Sequence, residues 1–226
     1  PRTFNSLVFN GNNHTISGVK VEGVDQAALF GKTWSFDIHN VTLANSTFSG
    51  NYGLFQGGET EDSAAGFIAF LQTYSAGSKL ENCHIENCTI GSAKYVGGLV
   101  AYKNGEFAIE LTNCSVKGSS FVSNYTEDGA KYKGHCGGLI GLTDAITISN
   151  CVVENNTFDV LGARGGLFIG SAQHNSAVSG KVEGNTGLIK LCGEVNKIAD
   201  WSNVEFTCSV SDAAELQAAL AAGGEV

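Results

Sequence analysis

The chain has 226 residues and a formal net charge of −9, with only 15% of its residues charged and two arginines, Arg2 and Arg164. That balance argues against a nucleic-acid or anionic-membrane surface and disfavours polyanionic sugars such as pectate. With 30 Gly, one Pro and no apolar run of transmembrane length, the composition suits a β-rich solenoid with neutral polar faces.

From the N-terminus, residues 1–31 read as a first coil whose core is Ile16-Ser17-Gly18-Val19-Lys20-Val21-Glu22. Residues 33–57 read as a second, compact coil around Ile38-His39-Asn40-Val41-Thr42-Leu43-Ala44. An acidic loop, 57–66, follows. Its Glu59, Glu61 and Asp62 lack the carboxylate spacing of a calcium loop, so a solvated loop is expected. Residues 67–102 form the third coil, with Leu80-Glu81-Asn82-Cys83-His84-Ile85-Glu86. The fourth, 107–142, carries Leu111-Thr112-Asn113-Cys114-Ser115-Val116-Lys117. The fifth, 145–171, holds Ile148-Ser149-Asn150-Cys151-Val152-Val153-Glu154. A sixth, 176–190, has Val178-Ser179-Gly180-Lys181-Val182-Glu183, one residue short.

Six copies of one pattern make the architecture a repeat. The steps between copies are 22, 42, 31, 37 and 29 residues. The shortest cannot hold a helix pair, and the variable remainder reads as loop insertion between strands of period two. A second apolar strand is expected after each copy, at Ala28–Gly31, Gly53–Phe55, Gly97–Val100, Gly137–Ile140 and Gly165–Phe168. Two or three short strands per turn, stacked on themselves, give an all-β, single-stranded, right-handed parallel β-helix. About six coils spaced ~4.8 Å apart make a rod of roughly 30 Å.

Stacking predicts columns. Asn40, Asn82, Asn113 and Asn150 are expected to form a buried Asn ladder. Cys83, Cys114 and Cys151 are expected beside it as buried thiols, in one column with Val19 and Val41. The outward column is expected to run Glu22, Ala44, Glu86, Lys117, Glu154, Glu183.

The Asn-Cys-x-Val copies followed by Gly-Gly-Leu resemble bacterial surface proteins of the right-handed parallel β-helix, pectate-lyase-like superfamily. They are most similar to those with Gly-Leu-rich, GLUG-like repeats, found in adhesin-like proteins and in stalks of secreted peptidases. The opening Phe9-Asn10-Gly11-Asn12-Asn13-His14-Thr15-Ile16 is similar to the Asp-Gly-Asn-Gly-His-Thr-Ile coil of such proteins, with Asn10 and Asn13 in place of Asp and Gly. The resemblance covers roughly residues 4–190 and implies a fold shared by lyases, hydrolases, adhesins and inert stalks.

Residues 1–200 are therefore expected to be the β-helix, and 201–226 a terminal strand plus capping helix. Ser211 reads as the N-cap, with Gly223-Gly224 at the end. In β-helix proteins a segment like Ala214-Glu215-Leu216-Gln217-Ala218-Ala219-Leu220 opens a module, so 201–226 is alternatively the start of a following one. The chain begins with Pro1 and holds no Met, and is expected to be an excised part of a larger extracellular or cell-surface protein.

Seven cysteines, 83, 88, 114, 136, 151, 192 and 208, show no C-x-x-C, so zinc is not expected. Free buried thiols are favoured; Cys192–Cys208 is the alternative bridge. No cofactor and no metal is expected. The insertion Phe121–His135 is the longest departure from the repeat. It places Tyr125, Asp128, Lys131, Tyr132 and His135 together as a candidate ligand-binding set, since loops on a rigid rod carry binding residues.

No catalytic constellation stands out. Glu86 and Glu154 are expected two coils apart, roughly 9–10 Å, with Lys117 between, which reads as a surface charge ladder. Asp37, Asp144 and Asp159 fall near turns, and His14, His39, His84, His135 and His174 show no ligand spacing. N-x-Ser/Thr sequons occur at Asn13, Asn40, Asn45, Asn87, Asn113, Asn124 and Asn155, of which Asn40 and Asn113 are expected to be buried. The expected function is a non-enzymatic adhesin or surface stalk meeting a glycan or a host or cell-surface protein through its loops. The alternatives are a polysaccharide-active enzyme and a pure spacer whose partners are neighbouring modules.

Overall fold

The computed structural model describes residues 3–50, 62–73, 76–92, 94–123, 134–160, 164–174, 177–188, 190–193, 198 and 200–207. Among them there is no helix, and the strands pair in parallel across four sheets. The first sheet runs through Leu7–Ser17, Phe36–Ala44, Lys79–Glu86, Ile109–Thr112 with Ser115–Lys117, Ile146–Glu154, Ala177–Glu183 and Val204–Thr207. The second stacks Lys20–Val24, Thr47–Gly50, Thr89–Ser92, Ser120–Ser123 and Thr157–Val160. The third stacks Gln26–Ala27, Ser63–Ala65, Tyr95–Gly97, His135–Gly137 and Arg164–Gly166. The fourth stacks Thr3–Phe4, Lys32–Thr33, Ile68–Gln72, Val100–Asn104, Ile140–Thr143 and Ile169–Ala172. The chain visits the four sheets in turn, so it is a solenoid of parallel strands. Among the described residues, each of the five rungs that begin with Leu7–Ser17 to Ile146–Glu154 contributes strands to all four sheets, not the two or three strands expected.

Period-two patterning buries one face of each strand. Ile38, Leu80, Leu111 and Ile148 stack in the core, as do Leu43, Ile85, Val116, Val153 and Val182. The second sheet adds Phe48, Ile90, Phe121 and Phe158, with the last two rings stacked at 4.7 Å. A buried Phe or Ile side chain contributes roughly 1.5–3 kcal/mol.

The corner between the first and second sheets has the same length in every rung. It is entered at Gly18, Asn45, Asn87, Gly118, Asn155 and Gly184, all with φ between 48° and 72°. Asn and Gly are the residues that tolerate this left-handed conformation. The next position turns inward as a polar ladder. Val19 N–H donates to Ser46 Oγ (3.0 Å), Cys88 N–H to Ser119 Oγ (3.1 Å), Ser119 N–H to Asn156 Oδ1 (2.8 Å) and Asn156 N–H to Asn185 Oδ1 (2.9 Å). Asn156 is wholly buried. This ladder satisfies backbone donors where the sheet hydrogen bonds stop.

The column of Asn40, Asn82, Asn113 and Asn150 also has φ between 51° and 57°. Asn82 donates to Asn40 Oδ1 at 3.1 Å, Asn40 to Asn10 Oδ1 at 3.5 Å and Asn150 to Asn113 Oδ1 at 3.5 Å. These amides stand on the outer surface, half-exposed or exposed, rather than buried. Left-handed backbone turns the side chain out of the sheet while Cys83, Cys114 and Cys151 point in. Asn40 and Asn113 are accordingly not shielded sequons.

Four expectations of register and extent are corrected. Ile16 pairs with Leu43 and Val21 with Phe48, so the first rung starts earlier, at Leu7. Val19 belongs beside Ser46, and it is His14 that stands next to Val41. Ser17, not Glu22, heads the outward column. Finally, the strand after Thr47–Gly50 is Ser63–Ala65, followed by Ile68–Gln72, so this rung extends to Gln72. Gly53–Phe55 lies outside the described residues, as do Glu59 and Glu61 and the expected helix at 211–222.

The Gly-Gly-Leu motif marks the bend between the third and fourth sheets. A Cβ on Gly97 or Gly137 would sit 1.9 or 2.0 Å from the carbonyl oxygen of Val100 or Ile140. One on Gly98 or Gly138 would sit 2.0 or 2.1 Å from the carbonyl of the next rung. The two outer faces thus fold towards each other, and Tyr95 stacks on Tyr102 at 4.5 Å in a small second cluster with Ala65, Ala101 and Leu142.

Two denaturation series test these corners. Asn87→Gly is expected to melt close to the parent, while Asn87→Ala loses roughly 1–2 kcal/mol for placing Ala in left-handed backbone. Gly138→Ala, which drives a methyl into Leu167 backbone, is expected to lose more than either in the same urea titration.

Candidate ligand site

The longest insertions leave the solenoid at one corner. Residues 51–61 connect Thr47–Gly50 to Ser63–Ala65, residues 124–133 connect Ser120–Ser123 to His135–Gly137, and 161–163 connect Thr157–Val160 to Arg164–Gly166. All three join the second sheet to the third. Of the candidate set, Tyr125, Asp128, Lys131 and Tyr132 lie outside the described residues. His135 is a strand residue and only 6% exposed.

His135 sits on the outer face of the third sheet, in register with Tyr95 on one side and Arg164 on the other. Its ring lies parallel to that of Tyr95 at 5.8 Å, and its backbone N–H donates to Lys94 O at 2.6 Å. Nδ1 is buried without a hydrogen-bond partner. Burial, then the neighbouring Arg164 and Lys94 charges, push its pKa down to about 3. His135 is therefore a neutral ring at the foot of the insertion. The chain's shape, not its sequence, decides this, because it depends on which outer face folds against which.

Sequence reasoning also passed over Lys103. It points into the corner between the fourth and first sheets, fully buried, with Nζ donating to Gly105 O. Burial lowers its pKa to about 8, against the attraction of Asp144, whose carboxylate accepts from Gly105 N–H at 2.6 Å. An inward Lys at a position occupied by Leu71 in the pairing rung carries no signal in a strand pattern.

The thiols form a column. Glu81 pairs with Thr112 and His84 with Ser115, which sets Cys83 against Cys114; the same holds for Cys114 and Cys151. All three are free and buried, as are Cys88 and Cys136. Hydrogen bonds from Cys151 and Cys83 hold Cys114 low, while their bonds to Cys114 and burial raise those two. Burial alone raises Cys136, and it pushes Cys192 up to about 11. Cys208 lies outside the described residues.

Glu86, Lys117 and Glu154 pair in one column, and Lys117 Nζ is 2.9 Å from Glu154. The lysine occupies the space between the two carboxylates that an inverting hydrolase keeps for water. Asp62, the described member of the acidic loop, accepts from Ser92 Oγ at 2.7 Å. Among the described residues no group of three or more His, Cys, Asp or Glu is placed to hold a metal ion.

No protein-family model and no curated protein matches the chain. A solved structure, described as a "putative immunoglobulin A1 protease" from Bacteroides ovatus, is similar at 19% identity over 96% of this chain and 72% of that one, with a TM-score of 0.49.

The pKa of His135 gives a pH prediction. The unfolded chain takes up a proton below pH ~6.5, which the folded ring refuses until about 3. Folding stability should thus fall as pH drops from 6.5 towards 3, by on the order of 4 kcal/mol from this residue. Urea unfolding at pH 7 and pH 4, for the parent and for His135→Phe, checks it. The variant should lose distinctly less stability on acidification, and equal losses contradict the assignment.

Proposed function

We propose that the chain is a right-handed parallel β-helix of about six coils, serving as a non-enzymatic extracellular adhesin or surface-stalk module. The hand follows the general rule for parallel crossovers, which are right-handed in about 98% of cases. The ligand is a glycan or a host or cell-surface protein, met through the inserted loops. The observation that carries this reading is the shared corner. Two long insertions, 51–61 and 124–133, spring from the same side of the rod, whereas the corner between the first and second sheets admits none. The edge that varies most is the one such a scaffold presents.

The charge ladder speaks against the polysaccharide-active alternative, since Lys117 is committed to Glu154. Bacterial surface location and neighbouring modules in a longer chain belong to the same proposal, on the strength of the GLUG-like repeat.

A glycan array and a panel of host surface proteins, probed with the parent and with Tyr125→Ala/Tyr132→Ala, test it. Binding that falls about tenfold in the double variant supports the loop as the contact. Undiminished binding removes it, and release of reducing sugar from a polysaccharide panel overturns the non-enzymatic reading.

A further inference from the structure

The pairing of the first sheet is interrupted near its C-terminal end. Where the rung of Ile146–Glu154 has Asn150-Cys151, the next rung has only Gly180, and the pairing shifts between Ile148 and Cys151. Gly180 lies so close that a Cβ would sit 2.0 Å from the carbonyl of Cys151. No side chain projects there, and the outward Asn column loses a member. The gap opens into a cleft of about 520 Å³ lined by Asn150, Val152, Ser179, Lys181, Asn203 and Glu205 among others. The depression is broad and open to solvent rather than enclosed.

The lining has a definite chemistry. Asn150 donates its Nδ2 to Asn113, which leaves its Oδ1 as the last acceptor of the column, at the cleft. Ser179 Oγ accepts from Asn150 N–H at 3.1 Å. Lys181 Nζ is 3.6 Å from Glu205 and also pairs with Glu183. One cation against two carboxylates leaves the local charge negative, which repels anions. Acceptors and a donor alternate around a small apolar patch, Val152 and Val204. Nothing in the lining is a nucleophile set against a base. Such a surface suits hydroxyl groups.

We propose that this cleft binds a neutral oligosaccharide, with sugar hydroxyls donating to Asn150 Oδ1 and Glu205 and accepting from Lys181. The proposal rests on the glycan form of the function above and places a second contact away from the loops.

The test measures binding of lactose, cellotriose, chitotriose and maltotriose to the full chain by isothermal titration, with galacturonate as the acidic control. Three variants are compared: Asn150→Gly, which keeps the φ of 53° and removes the amide; Val152→Trp, which fills the cleft; and Tyr125→Ala/Tyr132→Ala. Thermal melts confirm that each is folded. Binding of a neutral sugar that weakens roughly tenfold in either cleft variant supports the proposal, whatever the loop variant does. Neutral-sugar binding untouched by both cleft variants but lost in the loop variant overturns the cleft and leaves the loops standing. Binding of galacturonate alone overturns it. No binding of any neutral sugar also overturns it, and leaves the loops with a protein partner.

Discussion

A left-handed residue at one corner of each rung holds this solenoid in register. At Gly18, Asn45, Asn87, Gly118, Asn155 and Gly184 the chain turns with φ between 48° and 72°, and the following residue drops inward. An L-residue with a Cβ resists that turn by roughly 1–2 kcal/mol unless it is Asn or Asp. Each corner is therefore a local decision that agrees with its neighbours above and below. Where the corner is Asn, its amide also lies along the axis: a Cβ on Gly118 or Gly184 would sit 2.6 or 2.2 Å from Asn87 or Asn155 Oδ1. The inward Ser46, Ser119, Asn156 and Asn185 then close the hydrogen bonds that the turn leaves open. Turn and ladder act together, because the turn strands backbone donors and the ladder caps them.

The other corners have different freedoms, and the one between the fourth and first sheets varies modestly, from two residues between Thr33 and Phe36 to six between Gln72 and Lys79. The bend between the third and fourth sheets tolerates only glycine at its tightest points, since backbone of the same and the next rung occupies the Cβ positions. The corner between the second and third sheets takes insertions of different lengths. The rod thus divides its perimeter into an edge that sets register, a bend that packs Tyr95 against Tyr102, and an edge open to variation. His135 stands at the foot of that open edge. Its burial between Tyr95 and Arg164 ties the strand that follows the insertion to the second aromatic cluster.

Much of this architecture is legible in the sequence. Ile-Ser-Asn-Cys-Val-Val-Glu alternates inward and outward on either side of its Asn, where the left-handed backbone of Asn150 skips one step, and the stacking follows. The first rung misleads for a physical reason. Phe9 pairs with Ile38 and Ile16 with Leu43, so this rung holds two more residues than the next, absorbed by left-handed Asn12 and Asn13. Meanwhile Ile16-Ser17-Gly18-Val19-Lys20-Val21 imitates the motif across a corner. Ser63-Ala64-Ala65 hides because alanine replaces the expected glycine, while Gly53-Leu54-Phe55 has the look of the strand. The candidate site was less legible. Periodicity says that His135 faces outward but not that the outer faces of two sheets close on each other. The cleft beside Gly180 is visible in sequence only as a missing residue, and its lining comes from Asn203 and Glu205 on a strand the repeat does not announce.

The in-register column is the central claim, and one distance tests it. Lys20, Thr47, Thr89, Ser120, Thr157 and Thr186 pair in sequence along the second sheet. Spin labels on cysteines placed at Lys20 and Thr186, in a background with the native thiols replaced by Val or Ser, report that span by double electron–electron resonance. Five steps of ~4.8 Å predict a narrow distribution centred near 24 Å for two sites 166 residues apart. A broad distribution, or a narrow one centred far from that value, would mean the rungs do not stack in this register.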